Sequence, residues 1–201
     1  MAQLTLFDST DFVLADDERG RVTYTARFVD VETDHKWFAE LRTAVSWRSE
    51  RRMMYDREVD VPRLMASFRL DDPQNEVLNS IRDAAQLVIE RLEVPFNSVG
   101  LNLYRDGRDS VAPHNDHLDE IQKGFPIALL SLGAIRRMTI RAKEPPKHTM
   151  HADLEPGSLF VMDYATQLHY THGVPKTTDP VGERISLAFR VKQPRSTGIY
   201  R

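Results

Sequence analysis

Residues 184–191 read Arg184-Ile185-Ser186-Leu187-Ala188-Phe189-Arg190-Val191. The segment alternates, and alternation is the signature of an extended strand whose successive side chains point to opposite faces. Ile185, Leu187 and Phe189 make one apolar face, suited to a core backed by helices. Arg184, Ser186, Ala188 and Arg190 make the other. Burying two guanidiniums without counter-charge costs several kcal/mol on general grounds. A dicarboxylate ligand removes that cost, because guanidinium binds carboxylate through two parallel hydrogen bonds. The strand therefore predicts a β-rich fold with an anion-binding interior.

Working outward, short β-rich runs precede it at 98–104, 110–113, 127–132, 138–141, 148–154, 158–162 and 167–173. Turn residues separate them: Asp106-Gly107, Gly124, Gly133, Pro145-Pro146, Pro156-Gly157 and Asp179-Pro180. Short strands at such spacing predict an antiparallel barrel or a double-sheet jelly roll. The first half reads differently. A strand is expected at 21–28, and Thr33 offers a cap for a helix presenting Trp37, Leu41 and Val45. A second helix is expected over 73–93, capped by Asp72, with Leu78, Ile81, Ala85, Val88 and Leu92 on its buried face and Pro95 ending it. Residues 48–70 are polar and basic and read as loops and short strands. The expectation is an α+β fold, mainly β: a jelly-roll (double-stranded β-helix) core over 96–201, and an extension over 1–95 whose helices pack on one sheet, together one structural domain.

Composition narrows the chemistry. The 201-residue chain has 41% hydrophobic and 28% charged residues, enough apolar material for a substantial core. It has no cysteine, which excludes disulfides, thiolate metal sites and a cysteine nucleophile. Any metal must be held by imidazole and carboxylate. A net charge of −3 argues against a protein that coats nucleic acid, though arginines cluster at Arg48, Arg51, Arg52, Arg57 and Arg63 and again at Arg136, Arg137 and Arg141. The bland reading of both clusters is solvated surface. No stretch reaches the roughly 18 apolar residues of a membrane span. The start, Met1-Ala2-Gln3-Leu4-Thr5-Leu6-Phe7-Asp8, lacks the pattern of a signal peptide. A monomeric cytoplasmic protein is the expectation.

His114-Asn115-Asp116 supplies an H-x-D pair, an imidazole and a carboxylate that share a face if both lie on a strand. A third ligand must come from elsewhere, and His169 and His172 are both available. Two histidines and a carboxylate on one side of an ion leave positions open for co-substrate and oxygen. His117 competes with the pair unless it faces away, and His148 and His151 read as surface residues. Asn102 and Tyr104 share a strand face, and each offers a hydrogen bond to a carboxylate.

The stretch 96–191 resembles the AlkB family of Fe(II)- and 2-oxoglutarate-dependent dioxygenases. The segments that carry the resemblance come in the family's order: Asn102-Leu103-Tyr104-Arg105-Asp106-Gly107, His114-Asn115-Asp116, Pro126-Ile127 leading to Ser131-Leu132-Gly133, and Pro156-Gly157-Ser158-Leu159-Phe160-Val161-Met162. Then come His169-Tyr170-Thr171-His172-Gly173-Val174-Pro175 and Arg184-x-Ser186-Leu187-x-Phe189-Arg190. The resemblance implies Fe(II) held by His114, Asp116 and His172, the distal carboxylate of 2-oxoglutarate held by Arg184 and Tyr104, and Arg190, Asn102 and Ser186 close to the co-substrate. It also implies the reaction: O₂ and 2-oxoglutarate are consumed, succinate and CO₂ are formed, and an N-alkyl group on a base of DNA or RNA leaves as an aldehyde such as formaldehyde. Residues 48–70 stand where the family carries a nucleotide-recognition lid, so Arg51, Met53 and Tyr55 are expected near a base or phosphate, with His117 close by.

The chain departs from the pattern in two places. Ser186 stands where the family often has Asn. His117-Leu118 follow Asp116, where an acid close to the bound base is common; acids return only at Asp119 and Glu120. These departures keep two other readings open, an oxygenase of a protein side chain or small molecule, and a jelly-roll binding module without turnover.

Overall fold

The computed structural model describes residues 11–54 and 57–193. Two strands open the chain, β1 (Asp11–Asp17) and β2 (Gly20–Thr25), followed by helix α1 (Val31–Ala44). A long hairpin, β3 (Arg48–Met54) and β4 (Arg57–Arg69), leads to helix α2 (Asn79–Leu92). The remainder is β5 (Ser98–Tyr104), β6 (Val111–His114), β7 (Ile127–Gly133), β8 (Arg136–Ala142), β9 (Thr149–Leu154), β10 (Leu159–Met162), the short helix α3 (Tyr164–His169), β11 (Tyr170–Val174) and β12 (Arg184–Arg190).

Among the described residues these strands form two antiparallel sheets and no closed barrel. The larger runs β1-β2-β10-β7-β12-β5-β4-β3 and the smaller β6-β11-β8-β9. The fold is thus α+β, dominated by two antiparallel sheets with helices toward its N-terminal side. Strands from the first half are integral to the larger sheet: β2 pairs with β10, and β4 with β5.

Alternation explains the layering. On β12, Ile185, Leu187 and Phe189 turn to one side and pack with Trp37 and Leu41 of α1 and Ile81, Ala85 and Val88 of α2. The neighbouring β7 is buried along nearly its whole length, because both its faces meet apolar material. Ala128, Leu130 and Leu132 face the helices, while Ile127 and Leu129 meet Met138, Ile140 and Leu154 of the smaller sheet. Each fully buried Leu, Ile or Phe contributes about 1.5–3 kcal/mol. The inner faces of both sheets therefore enclose the second core, and the site described below lies at one end of it.

Several expectations are corrected. Helix α1 is capped by Asp30, not Thr33; the Asp30 side chain accepts a hydrogen bond from the Thr33 N–H at 2.7 Å. Helix α2 starts at Asn79 and has no side-chain cap. Asp72 instead closes a turn of its own, accepting from the Gln74 N–H at 3.0 Å. The apolar face and the stop hold: Glu93 ends α2 in the left-handed region at φ 55°, ahead of Pro95. Residues 48–70 are mostly two long strands, which extend the larger sheet beyond β5 and end it at β3. The expected strand at 167–173 divides into the end of α3 and β11. β1, rich in aspartate, carried no strand signal.

Candidate metal and co-substrate site

β6 and β11 pair with His114 opposite His172. Their rings lie 4.4 Å apart, centroid to centroid. Gly173 permits the close approach: a Cβ there would meet the Val111 carbonyl oxygen at 2.7 Å. Asp116 joins them, and ligand atoms of His114, Asp116 and His172 all lie within 4.8 Å of one another. The reason differs from the one the sequence suggested. β6 ends at His114, so Asp116 is not its same-face strand neighbour. The carboxylate reaches the site because Arg190 grips it and because its backbone N–H donates to Gln167 Oε1 at 3.2 Å.

The electrostatics suit a divalent cation. His114 Nδ1 donates to the Ala112 carbonyl at 3.0 Å, which leaves the Nε2 lone pair free. Burial pushes the His172 imidazole down to about 3, and the neighbouring His114 pushes the same way. Burial also lowers His114. Both imidazoles are neutral at pH 7, the form a metal requires. Burial alone would raise the Asp116 carboxyl, but the Arg190 guanidinium beside it holds it below the usual carboxylate range. Two neutral imidazoles and one carboxylate, with no thiolate, match the donor set of a non-haem Fe(II) site with open positions.

Arg184 sits opposite Tyr104 on β5 and Gly133 on β7. It is 1% exposed. Its Nη2 donates to Ser131 Oγ at 2.7 Å, and its carbon Cζ lies 5.1 Å from the Tyr104 ring centroid. Its Nε and Nη1 are buried without a hydrogen-bond partner. A buried cation with two unused donors is costly, and an acceptor with a fixed geometry, such as a carboxylate, satisfies it. Arg184 therefore fits the distal carboxylate of a keto diacid. Asn102 faces the same space from β5; its Oδ1 accepts from Arg63 Nε at 2.7 Å, so its amide N–H₂ remains a donor. Ser186 is buried opposite Asn102.

Both halves open into one cavity of about 1620 Å³, lined among others by His114, Asp116, His172, Arg184, Arg190 and Asn102. His169, the alternative third ligand, ends α3 and lies outside the metal group. His117 is exposed at the cavity mouth. Arg51 is exposed on β3, and the hairpin residues that line the cavity include Arg48, Glu50 and Arg63. Met53 lies on β3, and Tyr55 lies outside the described residues.

Sequence reasoning missed four side chains. Arg136, read as surface, is 3% exposed. It lies over the Tyr104 ring at 5.5 Å and donates to the carbonyls of Asp106, Asp109 and Pro175. Ser131 was discoverable, since alternation along β7 places it on the inward face with Leu129. Arg63 carried only the signal of its arginine-rich surroundings. Gln167 carried none.

The 2OG-Fe(II) oxygenase superfamily matches residues 21–190 of the chain. Alpha-ketoglutarate-dependent dioxygenase alkB homolog 3 of Homo sapiens is 30% identical over 195 residues, covering 89% of this chain and 68% of that protein. The chain belongs to the AlkB family of 2OG-Fe(II) oxygenases. The alkB homolog 3 protein of Bos taurus is likewise 30% identical, over 200 residues, covering 90% of this chain and 69% of that protein. The DNA oxidative demethylase ALKBH2 of Bos taurus is 34% identical over 125 residues; that match takes in 59% of this chain and only 44% of the relative's length. Among solved structures, a Pseudomonas putida prolyl-4-hydroxylase superposes with a TM-score of 0.54 at 16% identity, covering 86% of this chain and 93% of that one. This last likeness concerns the fold alone. As an AlkB-family member the chain is a 2-oxoglutarate-dependent dioxygenase, with Fe(II) as metal and 2-oxoglutarate as co-substrate. Among the described residues no helix is long and apolar enough to cross a membrane.

Proposed function

We propose that this dioxygenase removes alkyl groups from N-alkylated bases of DNA, with His114, Asp116 and His172 holding the iron and Arg184 and Tyr104 holding the distal carboxylate of 2-oxoglutarate. The observation that carries it is one cavity containing both a metal donor set and a buried guanidinium with unused donors. Support for the nucleic-acid substrate comes from relatives named as DNA oxidative demethylases. The two facing sheets are read as the halves of a double-stranded β-helix, with β3–β4 as the lid over its open end. A monomer acting in the cytoplasm accompanies this reading.

Bound Fe(II) supplies the oxidation: O₂ is reduced as 2-oxoglutarate becomes succinate and CO₂, and the substrate's alkyl carbon gains a hydroxyl. The chain's own residues do the rest. Arg184 and Tyr104 would hold one end of the co-substrate, and Arg190, Asn102 and Ser186 would lie close to the other. Arg190 keeps Asp116 ionised and aimed. The hydroxylated N-alkyl group then collapses; the C–N bond breaks, the nitrogen takes the hydroxyl proton, and formaldehyde leaves when the group was methyl. A base within a duplex must first be flipped out to reach this depth.

One observation favours a second reading, an oxygenase of a protein or small molecule. Exposed His117 follows Asp116, and the nearby acid Glu120 is engaged by Lys192 at 2.7 Å. A single assay separates the two. The protein is incubated with Fe(II), ascorbate and 2-oxoglutarate, with and without N-methylated DNA or RNA oligonucleotides. Formaldehyde and succinate that depend on the methylated oligonucleotide support dealkylation. Succinate formation indifferent to nucleic acid supports the second reading. Neither turnover nor 2-oxoglutarate binding would sink both.

A further inference from the structure

We propose that Gln167 is a positioning residue for the metal-binding carboxylate: it sets where the backbone of Asp116 stands, while Arg190 sets where its carboxylate points. The inference rests on the reading that Asp116 ligates the iron.

The β6–β11 ladder stops at the His114–His172 pair, so no strand partner fixes Asp116. Its N–H donates instead to Gln167 Oε1 at 3.2 Å. Gln167 is 1% exposed. Burying an amide costs free energy unless its polar atoms are satisfied. The amide nitrogen of Gln167 finds only long contacts, to Thr166 Oγ1 at 3.4 Å and Met162 Sδ at 3.8 Å. Its oxygen meets the Asp116 N–H. The bond from the Asp116 N–H is the shortest that this buried amide makes.

The helix that carries Gln167 is held from both ends. Asp163 caps α3, accepting from the Thr166 N–H at 2.9 Å, and its other oxygen accepts from the Arg21 N–H of β2 at 2.8 Å. Gly20 leaves room for that carboxylate; a Cβ there would meet Asp163 Oδ1 at 2.4 Å. At the far end Lys143 Nζ donates to the Gln167 and Leu168 carbonyls, each at 2.9 Å. The Asn115 side chain, next to Asp116, donates to the Tyr170 carbonyl where α3 passes into β11. The strand that bears His172 and the segment that bears Asp116 are thus registered against one block, braced by the N-terminal hairpin.

The test uses Mn(II) as a redox-silent probe, its free concentration followed by electron paramagnetic resonance. Gln167→Met keeps the volume and removes the acceptor; Gln167→Glu keeps an acceptor. Loss of a partner that orients a ligand costs about 10–100-fold in metal affinity. The expected result is a loss of about that size for Gln167→Met, with Gln167→Glu retaining markedly tighter binding and near-ultraviolet circular dichroism unchanged in both. Wild-type Mn(II) affinity in Gln167→Met overturns the proposal, as does an equal loss in both variants. Should Gln167→Met not fold, a tenfold or greater loss in a folded Gln167→Glu overturns it. Asp116→Ala is measured alongside: wild-type affinity there means that the metal reading itself has failed.

Discussion

Arg190 grips Asp116 through two hydrogen bonds, Nε to Oδ2 at 2.8 Å and Nη2 to Oδ1 at 3.1 Å. The carboxylate side chain is 8% exposed and the guanidinium 20%. Removing one partner of a fully buried pair costs about 3–5 kcal/mol, and the partial exposure of Arg190 places Arg190→Met nearer about 2–3 kcal/mol in the metal-free protein. A bound cation gives Asp116 a second source of positive charge. Urea unfolding with and without Mn(II) should therefore show the deficit shrinking when metal is present.

Arg184 makes the opposite prediction for stability. Its guanidinium is buried with two donors unused. Arg184→Met should leave the unliganded protein as stable as wild type or more stable by about 1 kcal/mol. The affinity for 2-oxoglutarate should fall by about 100-fold or more, the cost of losing a buried charged partner. Thermal melts without co-substrate, set beside calorimetric binding of 2-oxoglutarate, test both halves.

His172 gives the metal-free protein a defined pH dependence. Its folded value is about 3 against an ordinary 6.5, because burial disfavours the charged ring. Between those values the unfolded chain binds the proton and the folded chain does not. The contribution of His172 to stability is complete above the upper value and falls as pH drops toward the lower one, by at most about 1.4 kcal/mol per pH unit. Stability profiles of wild type and His172→Asn should diverge across that window, with the variant flatter.

Gly173 tests the approach of β6 to β11. A methyl group there meets the Val111 carbonyl at 2.7 Å and the Pro113 nitrogen at 3.0 Å, and neither backbone atom can swing aside. Gly173→Ala should push His114 from His172, costing about 1–3 kcal/mol of stability and tenfold or more in Mn(II) affinity. Unfolding and metal titration on the same variant separate the two losses.

What the sequence made legible follows from the range of the interactions involved. β12 was readable because its two faces differ in chemistry, apolar on Ile185, Leu187 and Phe189 and cationic on Arg184 and Arg190. The apolar face of α2 was readable from its spacing, but its start was not: Asp72-Pro73 suits a helix cap and an isolated turn equally, and the turn won. The H-x-D pair was found for a reason that does not hold in three dimensions, since Asp116 lies past the end of β6 and is placed by Gln167 and Arg190. Arg136 was hidden because its partners are carbonyls from separate loops, at Asp106, Asp109 and Pro175. The β3–β4 hairpin was hidden because its residues are mainly polar, a composition shared by loops.

A crossed binding experiment under anaerobic conditions separates the two halves of the site, measuring Mn(II) and then 2-oxoglutarate affinity in wild type, Asp116→Ala and Arg184→Met. Asp116→Ala should lose the metal, and Arg184→Met should keep the metal while losing the co-substrate. Wild-type metal affinity in Asp116→Ala, or wild-type 2-oxoglutarate affinity in Arg184→Met, would mean that these residues do not form the metal and co-substrate site.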